Sequence, residues 1–540
     1  MDAVLVQCKV HALLLEVNYN IIPPSFYLII LPLGGKPQYY PIWPPKHKDL
    51  NETRLNYDIF KLPIRTIEGY WDIIEKLQAV KDSPSQTKII VRETGVSALP
   101  ICAASPAFSH PFFFPLDPFH LFYENCMPHF WVTWIYESVE GEKVHMTKDM
   151  ASKLGELVAK AMATLPPSFC GLVRDPLLKW QSQYKIFEWM ALLHWYIVPI
   201  TWELGFNTEV VKNFALFSNV IEYTMTMVPR TEQDLAMLYQ KIALFLKGFE
   251  SLYVGNDASK ISRCRLCVFQ LIHIPHHISY NGSIRFGSQA TCERAIGDIG
   301  HGIRSKKSPF SNIVSYKEDK QSARLLHLIY PTIFSTSKTR VPRTSPFKRF
   351  PITQKQKRED DDIKAHIKAI QDYIGVEADP SLQIVRWGKC PLYNNVTLTS
   401  QLSDLSKKSN LRTSRYFEAH SGHEPQERDQ PVDDTEVGVE MTKPIFGEAL
   451  AFYTTQSAKA DFSLVVYHPL IECHKLFGRW YGKWSSALYV LEISAIISLV
   501  GIWTHNDRVH ILRRHPGLAL LRLEECGISE DSEDPLIDVE

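Results

Sequence analysis

Two hydrophobic rhythms divide this chain, and they limit its folds more than any motif does. From Phe122 to Tyr280 the apolar residues recur three and four positions apart, which is helical spacing. From Pro444 onward they alternate or run in short β-branched bursts (FGEALAFYTT, DFSLVVYHPL, LYVLEISAIISLVGIW, RVHILRR), which is strand spacing. A run of helices followed by a run of strands gives an α+β protein rather than a parallel α/β one.

Within the helical stretch, Phe122 to Val139 carries its aromatics on one side. Met146 to Leu165 is amphipathic and stops at Pro166-Pro167, and Leu177 to Leu204 follows, with Pro199 expected to end or kink it. Thr208 to Met227 comes next, and Thr231-Glu232-Gln233-Asp234 is a capping box opening a helix to Tyr253. Arg263 to Tyr280 reads as one more helix. Upstream, Thr66 caps a short helix whose apolar face is Tyr70, Ile73, Ile74 and Leu77, and Ile89 to Val91 is a short β-branched run. Gln401 to Glu440 is polar and poor in large aliphatics, a disorder-like composition. The expected strand turns are at Ser457-Ala458-Lys459 and at Thr504 to Asp507.

At 540 residues the chain has room for several domains, and 45% hydrophobic with 22% charged residues is globular usage. A formal net charge of +0 supplies no global field toward nucleic acid, so an anionic partner must meet a local basic patch. Ten cysteines without regular spacing suit a reducing compartment. No basic cluster precedes the apolar N-terminal bursts, so they do not read as a signal peptide. Ser486 to Trp503 is long and apolar, but Glu492 interrupts it and β-branched residues enrich it. It reads as buried sheet, and no membrane partner is expected.

Three stretches hold polar residues in apolar surroundings. The first is Asp117-Pro118-Phe119-His120, with Glu124 and Asn125 after it. Asp117 before Pro118 has the form of a helix N-cap; it also projects from the same helical face as His120, as a paired or metal-bound group would. The second is His273, His276 and His277, which with Cys264 and Cys267 invite a zinc reading. One continuous helical pattern would not let four such ligands surround an ion, so core packing is the preferred reading. The third is Glu293-Arg294, followed by Arg304, Lys306 and Lys307. A glutamate on an apolar-periodic helix with a basic loop after it suits a metal-bound phosphate, or else a surface salt bridge.

In order and spacing these stretches resemble CACTA-type DNA transposases, closest to a fungal Plavaka-like lineage. PFFFPLDPFHLFYENCMPHFWVTW looks like the family's D-x-x-H block. LPPSFCGLVRDPLLKWQSQYKIFEWMALLHWYIVPI is similar to its helical insertion. HIPHHISYNGSIRFGSQATCERAIGDIGHGIRSKKSPFSNI resembles the block with its last catalytic glutamate. The resemblance covers residues 37 to 316 well and 444 to 520 loosely.

The resemblance implies a nuclear enzyme with an interrupted ribonuclease-H-like core of the DDE type. Two aspartates and a glutamate would hold Mg²⁺ or Mn²⁺ for DNA strand cleavage and transfer. Glu293 matches the glutamate; Asp117 and His120 match the D-x-x-H element, whose role stays open between metal binding and structural support. Arg294, Arg304, Lys306 and Lys307 would contact backbone phosphates of transposon ends. The family's two aspartate contexts precede the segment matching Tyr39 to Thr66, and here that region holds only Asp2.

The expectation is therefore an α+β chain, equivalent to the C-terminal part of a transposase and lacking catalytic activity. It comprises an incomplete ribonuclease-H-like core with a large all-helical insertion and a small C-terminal antiparallel β domain. Residues 1–115 would be core remnant and 116–290 the insertion. Residues 291–335 would be the final core helix with its basic loop, 336–440 a largely disordered linker, and 441–525 the β domain. DNA and further copies of the chain are the expected partners, with no small-molecule substrate. A different class, a non-enzymatic helical scaffold binding proteins through exposed aromatics, is the alternative. A third reading is an intact metal-dependent nuclease using Asp117 and Glu293.

Overall fold

The computed structural model describes residues 66–330 and 360–515, except 95, 107, 109–112, 114, 182–183, 291–295, 297–298, 301–306, 376–382, 393–395, 405–411, 421–443 and 457–461. The fold is mixed α+β, with many helices and a C-terminal antiparallel β domain. Two compact units form: residues 1–147 with 207–340 make one, and 148–206 with 341–515 make most of the other.

The first unit is helical in its described residues. Thr66 caps helix Ile67–Ala79 by accepting from the Gly69 amide at 3.1 Å, and Tyr70, Ile73, Ile74 and Leu77 are buried with Val96. The β-branched run at residues 89–91 lies inside helix Pro84–Thr94. There Thr87 and Thr94 spend their hydroxyls on the carbonyls of Ser83 and Ile90, one turn back.

Residues 119–137 form one continuous helix with wide π turns at Phe119–Cys126 and Thr133–Glu137. Its Phe130 packs against Trp134, Phe214, Phe217, Phe245, Phe249 and Tyr253. Helices Thr208–Thr224 and Glu232–Tyr253 supply five of those six rings, so the aromatic side read from sequence is the centre of the unit. The Trp134 indole donates to the Tyr253 hydroxyl at 2.7 Å, which satisfies a polar edge inside that core. The Thr231–Asp234 capping box is present, side chain to backbone in both directions.

Residues 263–280 differ from the single helix expected. Short helical pieces at Ala258–Arg263, Leu266–Phe269 and Gln270–His273 precede helix Ile274–Asn281. The chain turns at Arg263 because its carbonyl accepts from His129 and its guanidinium reaches Glu142 and the carbonyls of Tyr253 and Glu137. Pro275 then sits in the first turn of the new helix, where its missing N–H costs nothing.

In the second unit, helix Lys148–Ala161 ends ahead of Pro166, as read. Leu177 to Leu204 is instead a four-residue turn, Pro176–Lys179, and a longer helix over 186–203. Pro199 lies within that helix; the π turn at Leu192–Tyr196 just before it gives the ring room.

Among the described residues ten antiparallel strands follow: β1 Gln383–Trp387, β2 Lys389–Pro391, β3 Thr397–Thr399, β4 Tyr416–Ala419, β5 Ile445–Gln456, β6 Phe462–Leu476, β7 Arg479–Trp484, β8 Tyr489–Glu492, β9 Ile496–His505 and β10 Arg508–Arg513. The order β5-β4-β9-β10-β7-β6 closes on itself because β6 also pairs with β5, giving a six-stranded barrel. β6 reaches two neighbours because it pairs with β5 over residues 462–469 and with β7 over residues 470–476, and in the second stretch its register shifts between Ile471 and His474, with Glu472 at φ 51°. A bulge of this kind bends a strand around a barrel corner. Tyr416, Phe446, Leu470, Val500, Ile502, Val509 and Ile511 fill the interior.

The β9–β10 turn falls where expected, with Asn506 at φ 51°. The turn expected at Ser457 to Lys459 lies outside the described residues. Ser486 to Trp503 is strand, as read, and no described helix is long and apolar enough to cross a membrane.

Within 336–440, read as a largely disordered linker with a short helix expected at Asp361 to Ile374, the described residues hold regular structure. Helix Asp360–Ile374 and strands β1 to β4 form within it. Its polar composition hid burial that the fold compensates. Arg412, 1% exposed, donates to the carbonyls of Leu165, Pro166 and Cys170 at 2.7–2.9 Å, and Arg415 pairs with Asp404 and Glu448.

Candidate functional site

Asp117 is buried at the mouth of the 119–137 helix, and both of its carboxylate oxygens are engaged. Oδ1 accepts from the amides of Phe119 at 3.0 Å and Gln289 at 3.2 Å. Oδ2 faces the Nδ1 of His120. The first of these bonds is the cap that Asp117-Pro118 suggested. The Gln289 bond spans 172 residues of sequence and is not a cap at all.

His120 in turn meets Glu124 through Nε2 at 3.2 Å, so its ring lies between a buried carboxylate and an exposed one. Only a ring carrying both protons can donate to both. The wide π turn also lets the Asn125 amide reach back to the His120 carbonyl at 2.8 Å. Turns of this type are rare and recur at functional sites.

Gly287 makes the cross-connection sterically feasible. A Cβ there would land on the Leu116 carbonyl oxygen and lie 3.0 Å from the Pro115 ring. The segment Gly287 to Gln289 therefore lies directly against Pro115 to Asp117.

Asp117 and His120 are thus brought together, with Glu124 added. Glu293, Arg294, Arg304 and Lys306 lie outside the described residues, and Lys307 is exposed. Among the described residues no group of three or more His, Cys, Asp or Glu is arranged to hold a metal ion. Asp117 as it stands does not fit a Mg²⁺ seat. Its oxygens already serve two amides and an imidazole, whereas Mg²⁺ needs free carboxylate oxygens in octahedral array.

The histidines of the zinc reading are core groups. His273 and His277 are buried one turn apart; His273 Nε2 and both His277 ring nitrogens have no hydrogen-bond partner among the described residues. Burial, and then the neighbouring His276, pushes His277 down to about 3, and burial takes His273 well below the usual histidine value. His276 is half-buried against Tyr239, and burial lowers it too.

Sequence reasoning did not single out His129, Arg263 or Cys126. His129 sits among buried rings, its Nε2 2.7 Å from the Arg263 carbonyl, and burial pushes it down to about 4. Its only signal was a polar residue inside the aromatic run. Cys126 packs beside Cys267, a contact that nothing in the spacing announces.

No protein-family model, no curated protein and no solved structure matches the chain.

Proposed function

We propose that this chain is a transposon-derived protein built on the plan of a DDE DNA transposase, and that as a polypeptide it binds DNA without cutting it. In this reading a ribonuclease-H-like core gave rise to the first unit. Asp117 and His120 are positioning residues, and Glu293 is the inherited ligand for Mg²⁺ or Mn²⁺. The two aspartate contexts that would complete a metal site are not in these 540 residues. A site short of two carboxylates loses metal-assisted cleavage outright.

The observation that carries the reading is the Gln289 to Asp117 bond. It ties the D-x-x-H block to a residue four positions before Glu293. This supports reading the two blocks as parts of one site. The scaffold alternative keeps an observation of its own: Phe130, Trp131 and Trp134 are interior, but Tyr280, Phe286, Phe310 and Tyr330 are exposed. Arg294, Arg304, Lys306 and Lys307 would meet DNA phosphates, and the nucleus is the compartment where such binding has a substrate.

Filter binding to duplex DNA across a salt series tests this. A linear fall of log affinity with log salt is expected, and alanine at Arg304, Lys306 and Lys307 should shallow the slope by about three phosphate contacts, each worth roughly 0.9. A salt-independent or absent interaction would sink the DNA reading. Nicking in Mg²⁺ that disappears in Glu293→Gln would instead overturn the inactivity and favour the intact nuclease.

A further inference from the structure

The helical unit brings together two cysteines from distant parts of the sequence. Cys126 closes the first π turn of the 119–137 helix and is fully buried; Cys267 lies in helix Leu266–Phe269 and is partly exposed. The two helices lie side by side. The Cys126 thiol points at residue 267: its Sγ donates to the Cys267 carbonyl oxygen at 3.6 Å. We propose that Cys126 and Cys267 form a reversible thiol–disulfide pair that takes hydrogen peroxide as its oxidant.

The division of roles follows from the surroundings. The hydrogen bond from Cys126 holds the Cys267 thiol below its ordinary value, with help from the Arg265 guanidinium; burial pushes Cys126 up. Thiolate character therefore concentrates at Cys267, the less buried residue of the two, and a peroxide-reactive cysteine needs that thiolate. The Cys267 thiolate attacks one peroxide oxygen, so an S–O bond forms, the O–O bond breaks and hydroxide leaves. Cys126 sulfur then attacks the sulfenic sulfur; the S–S bond forms, the S–O bond breaks, and the departing hydroxide takes the Cys126 proton as water. Two thiols lose two electrons to one peroxide, and two waters result. A thiol reductant reverses the bond.

This pairing replaces the zinc reading of Cys264 and Cys267 and does not depend on the DNA-binding proposal. The bond would staple the helix that carries His120 and Glu124 to the Arg263 turn. In a reducing compartment it would be transient, as redox-sensing disulfides are.

The test uses the reduced full-length chain, treated with hydrogen peroxide, alkylated and mapped by mass spectrometry without reductant. A Cys126–Cys267 cross-linked peptide is expected, lighter by two hydrogens and lost on adding dithiothreitol. In Cys126→Ser, whose hydroxyl can still donate to residue 267, Cys267 should accumulate as sulfenic acid and label with dimedone; in Cys267→Ala, Cys126 should stay unlabelled. The cross-link map needs no variant, so a misfolded mutant leaves the test intact. Cys267 unoxidised, or joined only to Cys264, would overturn the proposal.

Discussion

The two units lean on different means of burying polar groups, although Arg263 is a buried guanidinium in the helical unit and His366 and His510 are buried rings in the other. The helical unit buries neutral rings: His129, His273 and His277 sit in apolar surroundings, where a proton on the ring would be costly. The barrel-bearing unit buries charge and surrounds it with acceptors. Arg412 is capped by three carbonyls, and Glu188, 0% exposed, takes the Arg174 guanidinium and the amides of Arg174 and Lys185. An arginine stays charged across the accessible pH range, whereas a histidine changes state within it. One interior should thus respond to acid and the other to mutation.

Acid gives the largest expected separation. His129, His273, His276 and His277 in the helical unit all have folded values below the ordinary histidine value; His366 and His510 do so in the other, burial being the first cause throughout. The Glu203 carboxylate partly offsets the effect at His510. A depressed histidine leaves stability intact above about pH 6.5 and lost as pH falls toward the folded value, because the unfolded chain takes up the proton first. A buried histidine contributes a slope of about 1.4 kcal/mol per pH unit between its unfolded and folded values, so His129, pushed down to about 4, contributes about 3 kcal/mol by pH 4. Amide exchange at pH 7, 6 and 5 should show protection in residues 208–253 falling more steeply than in 496–513. Parallel loss in both regions would end the contrast.

Next in size is a pair of arginine truncations. Arg412→Met strands three buried carbonyls at Leu165, Pro166 and Cys170, for an expected cost of about 3–5 kcal/mol. Arg263→Met in the helical unit also removes a buried guanidinium, but its main partner Glu142 keeps some exposure and water can take over. About 2 kcal/mol is expected there. Chemical denaturation followed by exchange at the Cys170 and Tyr253 regions distinguishes them. Equal costs would mean that partner exposure does not set the price of losing a buried arginine.

What could be read from sequence divides along the same line. Local devices were legible: the Thr66 cap, the Thr231–Asp234 box, the aromatic face around Phe130 and the β9–β10 turn all lie within a few residues of their cause. Features created by distant partners were not. β4 is buried at every position although its neighbours Arg412 to Arg415 look like linker, because their partners come from Leu165 to Cys170, Asp404 and Glu448. The π turn that lets Pro199 sit inside a helix leaves no mark in hydrophobic spacing. At the candidate site, the bond of Asp117 to Phe119 was readable from Asp-Pro, while the one to Gln289 needed the fold.

The smallest expected effects come from two glycines, and they ask whether each unit's close approach is set by backbone or by side chain. A Cβ on Gly287 meets the Leu116 carbonyl and the Pro115 ring, neither of which can rotate away. Gly287→Ala should cost about 1–2 kcal/mol and unprotect the Gln289 amide, because the segment must back off from Asp117. A Cβ on Gly155 meets only the Asp175 carboxylate, which can swing aside but then gives up the Leu177 and Leu178 amides it caps. Gly155→Ala should therefore cost about 1 kcal/mol, the worth of a helix cap. Gly300 faces open space, so Gly300→Ala controls for helix propensity and should stabilise slightly or do nothing. If Gln289 stays protected in Gly287→Ala, its bond to Asp117 does not depend on backbone contact, and Asp117 loses its claim to hold the two blocks together.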